Sequence, residues 1–113
     1  QLFNKINLAK KYMNDHSHET VKMEDIAHEI GMSYSLFRKM FKTYTGFSPG
    51  HYFLQLKLAR SKELLLEGGL TCKEVAFQMG FVTVEHFHSI FRKYYGVSPD
   101  KFRKLNNNQN SKK

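Results

Sequence analysis

One pattern is spelled twice in this chain. Residues 31–49 read GMSYSLFRKMFKTYTGFSP, and residues 80–99 read GFVTVEHFHSIFRKYYGVSP. A shift of 49 places Ala27 on Ala76 and Gly31 on Gly80. The second copy then gains one residue, and from there a shift of 50 places Phe37 on Phe87, Phe41 on Phe91 and Tyr44 on Tyr94. Gly46, Ser48 and Pro49 likewise fall on Gly96, Ser98 and Pro99. A chain of 113 residues that contains the same unit twice has little room for anything else.

Each copy parses as helix, tight turn, helix. EDIAHEI (24–30) ends at Gly31, and EVAFQM (74–79) ends at Gly80. Glycine just past a helix supplies the left-handed backbone that closes it. Thr71 and Glu74 have the spacing of a capping box, whereas the first copy offers only Lys22 at that place. Ser33 and Thr83 are natural N-caps for the next helices, which run to Gly46 and Gly96. Ser-Pro at 48–49 and 98–99 opens a further helix, with serine as cap and proline at the first helical position. HYFLQLKLARSKELLLE (51–67) has no breaker and reads as one long helix from about Pro49 to Leu66, stopped by Gly68-Gly69. Leu2, Ile6, Ala9 and Met13 give the N-terminal segment helical spacing. The expected fold is all-α, with about seven helices in two helix-turn-helix lobes joined by a long helix. Its expected parts are a first lobe (1–47), a linker helix (48–67), a second lobe (68–107) and a disordered tail (108–113).

Composition narrows the function. Two prolines and 41% hydrophobic residues fit a packed helical core. A net charge of +8 points to an anionic partner: nucleic acid, an acidic protein or a membrane surface. Cys72 is the sole cysteine, so disulfide frameworks and cysteine zinc sites are excluded. No apolar run approaches the ~20 residues of a membrane span, and QLFNKINLAKK lacks the apolar stretch of a signal peptide. No catalytic constellation, phosphate loop or metal-ligand cluster appears, so neither an enzyme nor a bound cofactor is expected.

On a helical wheel, Phe37, Met40, Phe41 and Tyr44 form one apolar stripe, and Phe87, Ile90, Phe91 and Tyr94 repeat it. These aromatics read as core. The opposite face carries Ser35, Arg38, Lys39 and Lys42 in the first copy, with no acid from Ser33 to Thr45. In the second copy it carries Glu85, His88, Ser89 and Arg92. Arginine can chelate guanine O6 and N7, lysine can donate to guanine or phosphate, and glutamate can accept from cytosine N4. Glu85 has an equal structural reading, since a carboxylate in the first turn stabilises the helix dipole. Ser48 and Ser98 open helices whose N–H groups could hold backbone phosphates. A helical protein-docking module remains a rival from another class, and RNA binding a weaker one, because its usual exposed aromatics are here assigned to the core.

The two quoted segments resemble the paired helix-turn-helix elements of the AraC/XylS family of bacterial transcription regulators. The second is the stronger match: Gly80-Phe81, Phe87, Phe91-Arg92-Lys93, Gly96 and Ser98-Pro99 look like that family's signature. The likeness runs from about residue 5 to residue 105. It implies homeodomain-like subdomains that place the helices 33–45 and 83–95 in successive major grooves of promoter DNA, reading half-sites about 10 bp apart. It also implies a cytoplasmic, nucleoid-associated activator that contacts RNA polymerase and, as in most members of the family, carries an N-terminal sensor or dimerisation domain; a short stand-alone class is the alternative. Gln1 in place of Met agrees with such a domain upstream. Four residues depart from the pattern. Ser89 stands where the family often has Arg, and His86 where Tyr is frequent. Lys57 stands where Arg is usual, and Ser61 where Ala is common. The second lobe is therefore the less basic on its reading face, and the first is expected to supply much of the base-specific affinity.

Overall fold

Both turns of the repeat close in the same way. In a computed structural model that describes residues 1–111, Gly31 and Gly80 have φ of 73° and 80°, the left-handed region that a side chain disfavours. The amide of Gly31 donates to His28 O, and that of Met32 to Ala27 O (2.9 Å). Gly80 and Phe81 repeat the pair on Phe77 O and Ala76 O (3.0 Å each). This is the Schellman closure, whose residue after the glycine is apolar and packs back on the helix. Met32 and Phe81 are indeed buried.

The element order is α1 (Leu2–Asp15), α2 (Met23–Glu29), α3 (Tyr34–Thr45), α4 (Pro49–Glu67), α5 (Cys72–Gln78), α6 (Val84–Tyr95) and α7 (Pro99–Ser111). The described residues contain no strand. The chain divides inside α4, into Gln1–Lys57 and Leu58–Lys113, so that helix belongs half to each unit.

In the first unit, Ile6, Ala9 and Met13 of α1 meet Ile26 and Ala27 of α2, Phe37 and Phe41 of α3, and Phe53 of α4. Ser33 Oγ accepts the Leu36 amide at 3.3 Å, and Gly46, at φ 85°, ends α3. The loop after α1 is organised from below by Lys57, whose ammonium donates to the carbonyls of Ser17 (2.9 Å) and Glu19. His16 and His18 both lie against the Glu19 carboxylate, at 2.9 and 3.3 Å.

In the second unit the core is Leu58, Leu64 and Leu65 of α4, Val75 and Ala76 of α5, and Phe87 and Phe91 of α6, with Met79 and Phe81 from the turn. The capping box forms: Glu74 N–H donates to Thr71 Oγ1 (3.1 Å), and Thr71 N–H to Glu74 Oε1 (2.8 Å). Arg103 of α7 donates to the carbonyls of Leu65 and Leu70, bracketing the Gly68-Gly69 turn. Phe91 packs edge-on to Tyr95 (4.7 Å) and Phe102 (5.6 Å).

Two expectations are modified. Residues 108–111, expected to be disordered, carry helical backbone in α7, while Lys112 and Lys113 lie outside the described residues. Asn106 Nδ2 donates one turn back to Phe102 O (2.8 Å), and a nucleated helix extends at little cost per residue. Tyr44 and Tyr94, assigned to the core stripe, are 47% and 36% exposed. The wheel gives the direction of a side chain but not how far the neighbouring helices extend along the axis. Tyr44 instead meets the ring of Phe3 edge-on at the rim (5.7 Å).

Candidate nucleic-acid interface

The second helix of each helix-turn-helix is anchored by one device. Phe37 and Phe41 are fully buried with ring centroids 5.6 Å apart and planes at 67°, and Phe87 and Phe91 repeat this at 5.7 Å and 67°. Burying that side obliges the opposite face of α3 and α6 to stay in solvent.

On α3 that face is continuous. Ser35, Arg38, Lys39 and Lys42 are all exposed. Together with Tyr34 and Thr43 they line one open concavity. Among the described residues none of the three cations is held in an ion pair, because α3 contains no acid. Arg38 lies 5.9 Å from the centre of the Tyr34 ring one turn earlier, a weak cation–π approach that leaves its donors outward. Tyr34 and Thr43 were missed at the sequence level, although Tyr34 to Arg38 is a plain i,i+4 spacing.

On α6 the face is interrupted. Glu85, Ser89 and Arg92 are exposed, but His88 is half-buried. Its Nε2 is shielded from solvent without a hydrogen-bond partner among the described residues, 4.0 Å from Asp100 Oδ2. The other oxygen of Asp100 accepts the Cys72 thiol at 2.9 Å. Burial, aided by that hydrogen bond, pushes the Cys72 thiol up to about 11, so it stays protonated at neutral pH. The two faces differ at two matched positions: Arg38 stands where α6 has His88, and Gly50 where α7 has Asp100.

Ser48 and Ser98 act as caps. Ser48 Oγ accepts the His51 amide (3.3 Å), and Ser98 Oγ accepts the Lys101 amide (3.2 Å). Ser98 also shares an open concavity with Arg92, Gly96, Val97 and Lys101. Two cations thus flank a helix start there, and Lys101 was not singled out from sequence because it lies beyond the repeated stretch.

Comparison with known proteins agrees with this double unit. A family model described as a helix-turn-helix domain matches residues 26–105. The chain is 34% identical over 99 residues to the Msm operon regulatory protein of Streptococcus mutans, covering 88% of this chain and 36% of that protein. It is 30% identical, over the same shares, to the transcriptional activator RhaS of Escherichia fergusonii. Among solved structures, the DNA-binding domain of the global transcriptional factor AdpA, in complex with a target DNA, superposes with a TM-score of 0.85 at 25% identity, covering 88% of this chain and 90% of that one. The chain belongs to the helix-turn-helix family of AraC-type transcription regulators. It spans about a third of the length of the curated relatives it matches.

Proposed function

We propose that this chain is the DNA-reading part of a bacterial transcription activator, and that it engages duplex promoter DNA through the outer faces of α3 and α6. The observation that carries the reading is the α3 face: Ser35, Arg38, Lys39 and Lys42, all exposed, acid-free and backed by a rigid pair of buried rings. A helix held this way can enter a major groove without repacking its core. Arg38 and Lys39 then reach base edges, while Lys42, a turn further on, meets phosphate. On α6, Glu85 and Ser89 offer base contacts and Arg92 a phosphate contact. His88 acts mainly within the protein, so the first unit supplies most of the base-specific affinity. Ser48 and Ser98 present capped helix starts to the sugar–phosphate backbone, the latter between Arg92 and Lys101.

By analogy with longer relatives, the complete regulator carries a further sensing or dimerisation domain, works in the cytoplasm at the nucleoid and touches RNA polymerase. No helix among the described residues is long and apolar enough to cross a membrane. The test is selection of the 113-residue chain against random duplex DNA. Two enriched half-sites about 10 bp apart are expected. Absence of any enriched duplex, with tight binding to an acidic protein instead, rejects the reading in favour of a protein-docking module.

A further inference from the structure

The two units differ at the entrance to the second helix of the motif. In the first, buried Met32 passes directly to the cap Ser33. In the second, one added residue, Val82, stands between buried Phe81 and the cap Thr83. Val82 is 83% exposed, more than any other large apolar residue described. Phe77 of α5, 70% exposed, and Val84, the first residue of α6, line the same concavity, with Lys73 and Glu85 beside them. The matched positions in the first unit are His28 and Tyr34, and Val82 has no counterpart, so the valine pair belongs to the second unit alone. Single exposed apolar residues are ordinary, but a cluster at the leading end of a helix marks a contact surface.

We propose that Val82 and Val84 form a seat for thymine C5-methyl groups in the major groove. This rests on the DNA-binding reading above. The seat is continuous with the face of α6 that carries Glu85, Ser89 and Arg92. The N-terminal end of a recognition helix is the part that reaches base edges. The thymine methyl is the apolar feature displayed there. Valine side chains offer no donor to a phosphate, so this end cannot grip the backbone as the α3 cations can. Glu85 is complementary to cytosine N4. Both groups at the entrance to α6 therefore match pyrimidine edges, and the second unit selects a pyrimidine-bearing strand where the first selects guanines.

The test uses the duplex recovered by selection, with each thymine replaced in turn by deoxyuridine, which removes the methyl and nothing else. Affinity is measured for the 113-residue chain, for Val82→Ser and for Val84→Ser. Thermal melting checks that each variant is folded, and Val82→Ser serves alone if Val84→Ser is not. Arg38→Ala marks which half-site belongs to the first unit. In the other half-site, one or two replacements should weaken the unaltered chain by roughly fourfold per methyl. A serine variant should show no further loss at the same thymine. A half-site without thymine, no loss at any thymine, or an equal loss in the variants overturns the proposal. So does concentration-dependent self-association of the DNA-free chain that Val82→Ser abolishes, since the patch then belongs to a second copy. If no duplex is enriched, the DNA-binding reading itself fails and this inference falls with it.

Discussion

Lys57 is a cation with little water around it. It is 8% exposed, donates to two loop carbonyls and lies 4.8 Å from the centre of the Phe53 ring. Burial lowers its pKa from 10.5 to about 8, and the nearby Glu19 carboxylate only partly offsets this. Between those values the unfolded chain holds a proton that the folded chain has released. Stability therefore rises with pH from about 8 to about 10.5. The denaturation midpoint of the first unit, followed by chemical denaturation at a series of pH values, should climb through that window. Lys57→Arg keeps its charge throughout and should flatten the climb; an unchanged slope in that variant would assign the effect to another group. Arg38 makes a contrasting case. Its guanidinium is exposed and unpaired among the described residues, so Arg38→Ala should leave melting unchanged. It should cost about 1–3 kcal/mol on the selected duplex and relax preference at one base pair. An equal loss on random DNA would make Arg38 a phosphate contact.

At the scale of the element, α6 and α3 show how one sequence pattern gives two surfaces. Their buried sides are nearly superimposable pairs of phenylalanines, and their ends are closed alike by Ser33 or Thr83 and by Gly46 or Gly96. Phe91 is fully buried among Phe87, Tyr95 and Phe102. Phe91→Ala should destabilise the second unit by about 3–5 kcal/mol. Calorimetry should show that unit melting early, and an unaltered melt would place Phe91 outside the core. These features were legible in the sequence because caps, glycine stops and apolar spacing act within a few residues of one another. The half-burial of His88 beside Asp100 was not legible, because the two residues lie on different helices. The rim position of Tyr44 escaped for the same reason, since the reach of α1 along α3 is a tertiary matter.

At the scale of the whole molecule, the +8 charge bears on how strongly the chain feels salt. On duplex DNA, log affinity should fall linearly with log salt, with a slope of about −0.9 for each phosphate neutralised. Lys42→Ala should shrink that slope by about one phosphate's share while leaving base preference intact. Titration of the variant on selected and random duplexes from low to physiological salt checks both parts. A changed base preference with an unchanged slope would move Lys42 from the backbone to a base edge.

The sequence by itself determined the all-helical class, the duplicated helix-turn-helix, the caps and stops of most helices, the buried phenylalanine pairs and the family. All of these follow from interactions between near neighbours or from a repeated order of residues. Only the tertiary structure decided that the α3 cations stand exposed together along one concavity while His88 of α6 is half-buried beside Asp100. Only it decided that Lys57 is buried beneath the loop after α1, and that Phe77, Val82 and Val84 come together at the entrance to α6. The contacts of His88 and Lys57 depend on which side chain a distant segment brings alongside, and the apolar cluster on how the turn between α5 and α6 folds back; the spacing within one helix carries no record of either.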